Sequence, residues 1–222
     1  MIDQLDQKAP TFSNPIDRPG VSSLPDLRQE SEVTERLKLA ALIGSTRERR
    51  YGDKVGNWFA QEAQRLDDFE LSLIDVADID LPSRHLAEPT PAMKAFTSKL
   101  AKADAFVVVT PEYNHSMPGH LKHAIDQATE EWHAKPVGFV SYGGVSGGLR
   151  AVEHLRQVFA ELHAVTVRDA VSFHGVWEHF ADGAGPLDPK RSSGAVKTML
   201  HQLKWWALAL KEARSRAPYT VG

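Results

Sequence analysis

Three short stretches of this chain concentrate the residue types that hold a charged, flat ligand. The first, Gly44-Ser45-Thr46-Arg47-Glu48-Arg49-Arg50-Tyr51-Gly52, carries two small hydroxyls, three arginines and a glycine just ahead of a helical pattern. Hydroxyl and backbone N–H donors, the positive end of a helix and a guanidinium are what a phosphate needs. No Gly-Lys-Ser/Thr follows at Walker spacing and no G-x-G-x-x-G occurs, so the familiar nucleotide fingerprints are absent. An ordinary turn with solvated arginines is the plainer reading. The second stretch, Thr110-Pro111-Glu112-Tyr113-Asn114-His115-Ser116-Met117-Pro118-Gly119, is stiffened by prolines. It presents backbone amides beside an aromatic, which suits the edge of a flat heterocycle; a structural turn between two prolines is the alternative. The third, Tyr142-Gly143-Gly144-Val145-Ser146-Gly147-Gly148, has four glycines in seven residues. Glycines admit positive φ and close backbone approach, and a row of N–H groups there stabilises negative charge. Together the three describe one site, with a single phosphate at one end and a flat ring at the other.

Positioning them requires a particular frame. Residues 37–43 form a short apolar run ending in Gly44-Ser45, as a buried parallel strand does. Helical spacing follows over 54–66, strand alternation over 69–76, and a proline-bearing loop leads to a helix over 92–101. Residues 104–110, with Ala-Phe-Val-Val-Val, make the clearest buried strand; a helix is predicted from Pro118 to Trp132. A fourth strand over 136–142, a helix over 149–163 and a fifth strand over 164–171 complete the alternation. The polar, Gly/Pro-rich residues 174–193 show no period and precede a last helix over 194–214. Five strand–helix alternations predict an α/β fold: one five-stranded parallel sheet with helices on both faces. Ligands bind such sheets at the carboxyl ends of the strands, where strand order reverses. The loops after strands one, three and four are the three stretches above.

Composition narrows the classes. The chain has 222 residues, near one domain plus an extension at about 150 residues per domain. Its 42% hydrophobic and 25% charged residues are globular values. The absence of cysteine removes disulfides, thiolate metal sites and thiol catalysis. A net charge of -3 provides no basic field for nucleic acid or anionic lipid, and no apolar run is long enough to span a membrane. The start, Met-Ile-Asp-Gln-Leu-Asp, lacks the features of a signal peptide, so a cytoplasmic protein is expected. Residues 1–36, punctuated by Pro10, Pro15, Pro19 and Pro25, are expected to be a flexible tail. The remainder divides into a ligand-binding domain over 37–193 and a C-terminal helix and tail over 194–222.

With these motifs in order and at these intervals, residues 37–172 resemble the NAD(P)H-dependent FMN reductase family, Pro111-Glu112-Tyr113-Asn114 being the most specific part. The resemblance implies a flavodoxin-like fold and an activity on flavin, quinone, azo-dye or chromate acceptors. It implies FMN as cofactor, with NADPH or NADH as co-substrate. Carried over residue by residue, it implies that Ser45, Thr46, Arg47 and Gly52 hold the phosphate. Pro111, Glu112, Tyr113, Asn114 and Ser116 then lie at the ring edge, and Tyr142, Gly143, Gly144, Ser146 and Gly147 form the glycine loop. No side chain is nominated as catalytic, since the flavin carries the chemistry. Hydride passes from the nicotinamide to the ring and on to a small-molecule electron acceptor by a ping-pong scheme. His123 stands where such proteins often have asparagine. A homodimer or homotetramer is expected, built from Leu121, Ala124, Ile125, Ala128, Trp132 and the pair Trp205-Trp206; core packing is the other use for those tryptophans.

Two other functions compete. A flavodoxin-like electron carrier or FMN-dependent regulator is one, although a chain this weakly acidic is poorly suited to docking on basic partners. The other is a serine hydrolase, because Gly144-Val145-Ser146-Gly147-Gly148 matches G-x-S-x-G with Asp169, Asp182 or Asp188 and then His201 downstream. That order leaves too few strands after the elbow and gives the first two loops no role. A metal site at His115, His120 and His123, or at His174 and His179, lacks a carboxylate partner in any ligand pattern.

Overall fold

The computed structural model describes residues 36–84, 86–183 and 185–221, the side chain of Asp182 excepted. Apart from Arg36, the expected tail over 1–36 lies outside the described residues. Strand β1 (Leu37–Ile43) alternates its side chains between two cores: Leu37, Leu39 and Ala41 face one, Ala40 and Leu42 the other. A strand covered on both faces must be apolar throughout, and β3 (Ala105–Pro111) is buried at every position. These two pair in parallel, with β2 (Phe69–Asp75) outside β1 and β4 (Pro136–Gly143) outside β3. Helices α1 (Gly52–Leu66) and α6 (Pro189–Arg216) cover one face through Val55, Phe59, Met199, Leu200 and Leu203. Helices α2 (Pro91–Lys102), α3 (Gly119–Ile125) and α4 (Leu149–Glu161) cover the other through Phe96, Leu100, Leu121, Leu155 and Phe159.

The strand order β2-β1-β3-β4 reverses direction between β1 and β3. This is the switch point of the flavodoxin-like arrangement, and it opens the crevice where the predicted loops converge. The fifth strand exists but is interrupted. β5 (Val165–Thr166) and β6 (Val171–His174) both pair with β4, along its amino and carboxyl ends respectively. Between them Arg156 donates to the carbonyls of Val167 (2.7 Å) and Arg168 (3.0 Å), and Gln202 receives the Asp169 amide. The backbone groups freed by the break are thus paired from α4 and α6.

Other expectations need correction. The helix predicted over 118–132 stops at Ile125, where the buried Trp132 turns back and its indole N–H donates to the Ile125 carbonyl at 3.1 Å. A 3-10 turn (Glu130–Trp132) follows. Leu121, Ala124, Ile125, Ala128 and Trp132 are consequently core residues and supply no interface. Trp205 and Trp206 are the reverse case: they are exposed at 61% and 38%, so core packing does not account for them. The last helix begins before residue 194, at Pro189, with Asp188 capping it through the Arg191 amide. Finally, residues 174–193 hold a short helix, α5 (Val176–Phe180).

At the amino end of the sheet, Lys135 is only 7% exposed and donates to the carbonyls of Leu100 (3.1 Å) and Ala101 (3.0 Å), closing α2. Burial first, then the Arg214 charge, push its pKa down from 10.5 to about 8, against the pull of Asp104 and Glu131. Between those two values the unfolded chain holds a proton that the folded chain has released, so this group makes stability rise with pH. The unfolding free energy of the wild type relative to Lys135→Met is expected to grow by up to about 3 kcal/mol from pH 8 to pH 10.5. Urea denaturation at the two pH values checks this; a difference that is flat or falling contradicts it.

Candidate functional site

The residues singled out in the sequence gather at the carboxyl edge of the sheet. β1 ends where the Gly44 amide donates to Val109 at 2.8 Å, which starts the first loop beside β3. A Cβ on Gly44 would come within 2.6 Å of the Leu121 side chain, so glycine lets the loop leave closely packed against α3. Ser45 is buried, and its hydroxyl lies 2.7 Å from that of Tyr113. Thr46 is half-buried next to it, and the Arg47 guanidinium lies over the Tyr113 ring, 3.7 Å from its centroid. A guanidinium on an aromatic face is held by the ring quadrupole.

The loop's arginines turn out not to be equivalent. Arg50 is bound to the Ser45 carbonyl and forks onto both oxygens of Asp75 at the end of β2, with both side chains largely buried. It braces the loop and is no free anion donor, whereas Arg47 and Arg49 are exposed. Helix α1 then starts at Gly52 with no side-chain cap on its N-terminus. First-turn amides lack partners inside the helix, so an uncapped end faces whatever the loop encloses.

The second loop folds back as a tight hairpin. Tyr113 and Ser116 exchange backbone hydrogen bonds (2.9 and 3.1 Å) around Asn114 and His115, whose φ values are +49° and +76°. Two successive positive φ values define a type I′ turn, for which asparagine is well suited. Pro111 is the buried last residue of β3, in register with Tyr142. Ser116 points toward α4 instead of the first loop: its hydroxyl meets His154 Nδ1 at 2.9 Å.

Glu112 is more structural than its place at the ring edge suggests. Its carboxylate accepts the Arg150 amide at 3.1 Å and pairs with the Arg150 guanidinium at 3.1 Å, at the N-terminus of α4. Burial alone would raise its pKa. The Ser146 hydroxyl, the amides of Arg150 and Ala151 and the Arg150 charge outweigh burial and hold the carboxyl below its usual range. The second loop, the third loop and α4 are therefore locked together through one carboxylate.

In the third loop, Gly147 and Gly148 have φ of +60° and +86°, while Gly143 and Gly144 do not need positive φ. The Gly147 carbonyl receives hydroxyls from Ser141 and Ser172, both at 2.9 Å, which anchor it to β4 and β6. Ser146 shows none of the geometry of a nucleophile elbow. Its hydroxyl serves Glu112 and accepts the Gly148 amide at 3.4 Å. Asp169 is bonded to Gln202 and Arg168, Asp188 caps α6, and no histidine hydrogen-bonds Ser146 among the described residues. Several of the remaining histidines brace loops: His174 Nδ1 meets the Val145 carbonyl at 2.8 Å, and His179 accepts the Leu187 amide. His123 meets the Pro82 carbonyl at 2.7 Å and lines a cavity of about 450 Å³ with Val76, Ile79, Leu81 and Gly119, beside the second loop.

Sequence reasoning overlooked three contributors. Asp75 is one, Ser172 with His174 at the end of β6 is another, and Trp177, which reaches over Gly144, is the third. All three meet the loops from distant parts of the chain, where no local pattern announces them.

Comparison with known proteins supplies the family. The family model described as NADPH-dependent FMN reductase matches residues 37–178. An NAD(P)H:quinone oxidoreductase of Solanum tuberosum is 30% identical over 184 residues, covering 79% of this chain and 95% of that protein. An NAD(P)H-dependent FMN reductase of Schizosaccharomyces pombe is 37% identical over 122 residues, 50% of this chain and 60% of its own. A flavoenzyme NAD(P)H:(acceptor) oxidoreductase from Paracoccus denitrificans shares the fold, with a TM-score of 0.60 at 24% identity over 78% of this chain and 98% of that one.

The residues present fit a flavin phosphate. The Tyr142 hydroxyl is buried and finds no hydrogen bond of ordinary geometry, although the Ser45 hydroxyl, itself paired with Tyr113, lies close enough to lower its pKa. A Cβ on Gly52 would stand 2.8 Å from that hydroxyl and 3.1 Å from the Ser45 Cβ, so glycine keeps the space at the head of α1 open. Buried polar atoms are rarely left unpaired unless a ligand or water completes them. With its sheet order, its three converging loops and this unfilled donor, the chain belongs to the NADPH-dependent FMN reductase family and is an FMN-dependent, NAD(P)H-driven oxidoreductase with a flavodoxin-like fold.

Proposed function

We propose that the loops at 44–52, 111–119 and 142–148 hold FMN, and that the enzyme reduces a quinone-class acceptor by a ping-pong scheme. The buried, unpartnered Tyr142 hydroxyl at the uncapped head of α1 carries this reading. Bound there, FMN supplies a ring that takes hydride from NAD(P)H and returns the electrons to an acceptor. The protein's part is to bind and orient. Ser45, Thr46, Tyr142 and the first amides of α1 receive the phosphate, and Arg47 adds positive charge from its seat on Tyr113. The stiff hairpin at 113–116 and the amides of the glycine loop border the ring, where fixed dipoles favour negative charge at no reorganisation cost. Glu112 keeps the two borders in register through α4. No side chain is assigned a proton transfer. The quinone class is supported by the Solanum tuberosum relative, which is named for that acceptor.

The test is the visible absorption spectrum of the purified protein with added FMN, followed by anaerobic NADPH. A bound-flavin spectrum that bleaches with NADPH and recovers on adding 1,4-benzoquinone is expected. A protein that neither perturbs FMN nor accelerates its reduction contradicts the reading. The carrier alternative instead requires slow NADPH oxidation with a persistent one-electron form.

A further inference from the structure

We propose that Trp177 is the aromatic wall on which the flat electron acceptor stacks, making it a specificity-determining residue for the second half-reaction. This deepens the site assignment above and rests on it. Trp177 lies on α5, a short helix that hugs the glycine loop. The Gly175 amide donates to the Gly144 carbonyl at 3.1 Å, and His174 Nδ1 meets the Val145 carbonyl at 2.8 Å. Gly175, at φ +60°, turns the chain between β6 and the helix. These bonds fix the position of Trp177 relative to the loop.

The tip of the indole reaches the loop at Gly144. Its tip atoms Cη2 and Cζ3 lie 3.5 and 3.9 Å from where a Cβ on Gly144 would be, and no other atom outside residues 143–145 comes within 4 Å of that point. The neighbouring rings are used differently: Phe173 and Phe180 pack edge-to-face with Trp58 and with each other inside the core. Trp177 meets no other ring among the described residues and is 52% exposed. A rigid, half-exposed indole beside the flavin cradle matches a flat, apolar ring.

Charge favours the acceptor over the dinucleotide as its occupant. The Glu178 carboxylate packs against Gly175, with Oε1 3.2 Å from where a Cβ there would stand. A negative charge at the turn that carries the indole disfavours the pyrophosphate of NADPH and is indifferent to a neutral quinone.

The experiment compares FMN-loaded wild type, Trp177→Ala and Trp177→Phe with 1,4-naphthoquinone and with ferricyanide, which has no aromatic ring. FMN affinity is measured separately by titrating the apoproteins. Trp177→Ala is expected to raise the naphthoquinone KM about tenfold, and Trp177→Phe to restore most of the loss. The FMN Kd, NADPH KM and ferricyanide rate should stay within about twofold. Naphthoquinone should also quench part of the wild-type tryptophan emission saturably, and Trp177→Phe should lose that part. An unchanged naphthoquinone KM in Trp177→Ala, with FMN binding intact, overturns the inference alone. A rise confined to the NADPH KM assigns the indole to the nicotinamide, and a weakened FMN Kd assigns it to the cradle; either overturns it too. Failure of the wild type to bind FMN overturns the site reading and this inference with it.

Discussion

Gly148→Ala is expected to destabilise the apoprotein by about 3 kcal/mol and to abolish FMN binding at concentrations that saturate the wild type. Gly148 sits at φ +86°, a conformation costing any other residue roughly 1–2 kcal/mol. A methyl group there would also stand 2.8 Å from the Tyr142 nitrogen, 2.9 Å from its carbonyl oxygen and 2.8 Å from the Ser141 Cβ. Two of these atoms are backbone of β4, the strand paired on both sides, so nothing can rotate away. The chain must move, and with it go the first bond of α4, from the Val152 amide to the Gly148 carbonyl, and the nearby Glu112 clamp on Arg150. Gly144→Ala is the control. Its Cβ would meet only the Trp177 tip at ordinary contact distance, and its φ is not positive, so stability should change by less than about 0.5 kcal/mol. Urea denaturation of both apoproteins, with FMN titration of Gly148→Ala, measures the contrast. Equal stability of the two variants would refute this account of the loop.

Much of this architecture was legible because it is local. A parallel strand buried on both faces has to be continuously apolar, and 105–109 could hardly be anything else. The crevice followed from alternation alone, since loops after parallel strands share one edge. What escaped depends on partners far along the chain. The Arg47-Glu48-Arg49-Arg50 run reads as three equivalent cations until Asp75, at the end of the neighbouring strand, claims Arg50. Glu112 reads as a ring-edge acid until the register of β3 against β4 delivers it to the head of α4. The edge strand looks continuous over 164–171, and its break depends on Arg156 and Gln202. Helix α3 has the apolar spacing to run to residue 132, but Trp132 is itself the group that occupies the Ile125 carbonyl. Trp177 was hidden differently: a helix as short as α5 has too few turns to show a period. The glycine loop was read in the right direction for a partly different reason. Two of its glycines are required by the backbone itself, and only Gly143 and Gly144 are left to serve close approach of a ligand.

Tyr142→Phe should move stability and FMN affinity in opposite directions. The substitution removes one oxygen and leaves the ring, which belongs to the core beside Val140 and Phe173. In the apoprotein that oxygen is buried without a partner. An unsatisfied buried hydroxyl costs about 1–3 kcal/mol, so its removal should stabilise the apoprotein by about 1 kcal/mol in urea denaturation. Burial also raises the Tyr142 pKa well above its usual range; the Ser45 hydroxyl and Arg50 lower it only partly. The phenol is therefore neutral throughout the working pH range and always has a proton to donate. With a phosphate at the head of α1, that proton makes a hydrogen bond to a charged group, worth about 1.5–3 kcal/mol. Its loss should weaken FMN binding by roughly tenfold to a hundredfold, with little effect on riboflavin, which has no phosphate. Most substitutions at a binding site lower affinity and stability together, or affinity alone. A more stable apoprotein with weaker FMN binding and unchanged riboflavin binding would locate the phosphate at Tyr142. Unchanged FMN affinity would move the phosphate elsewhere and leave the buried hydroxyl without a purpose.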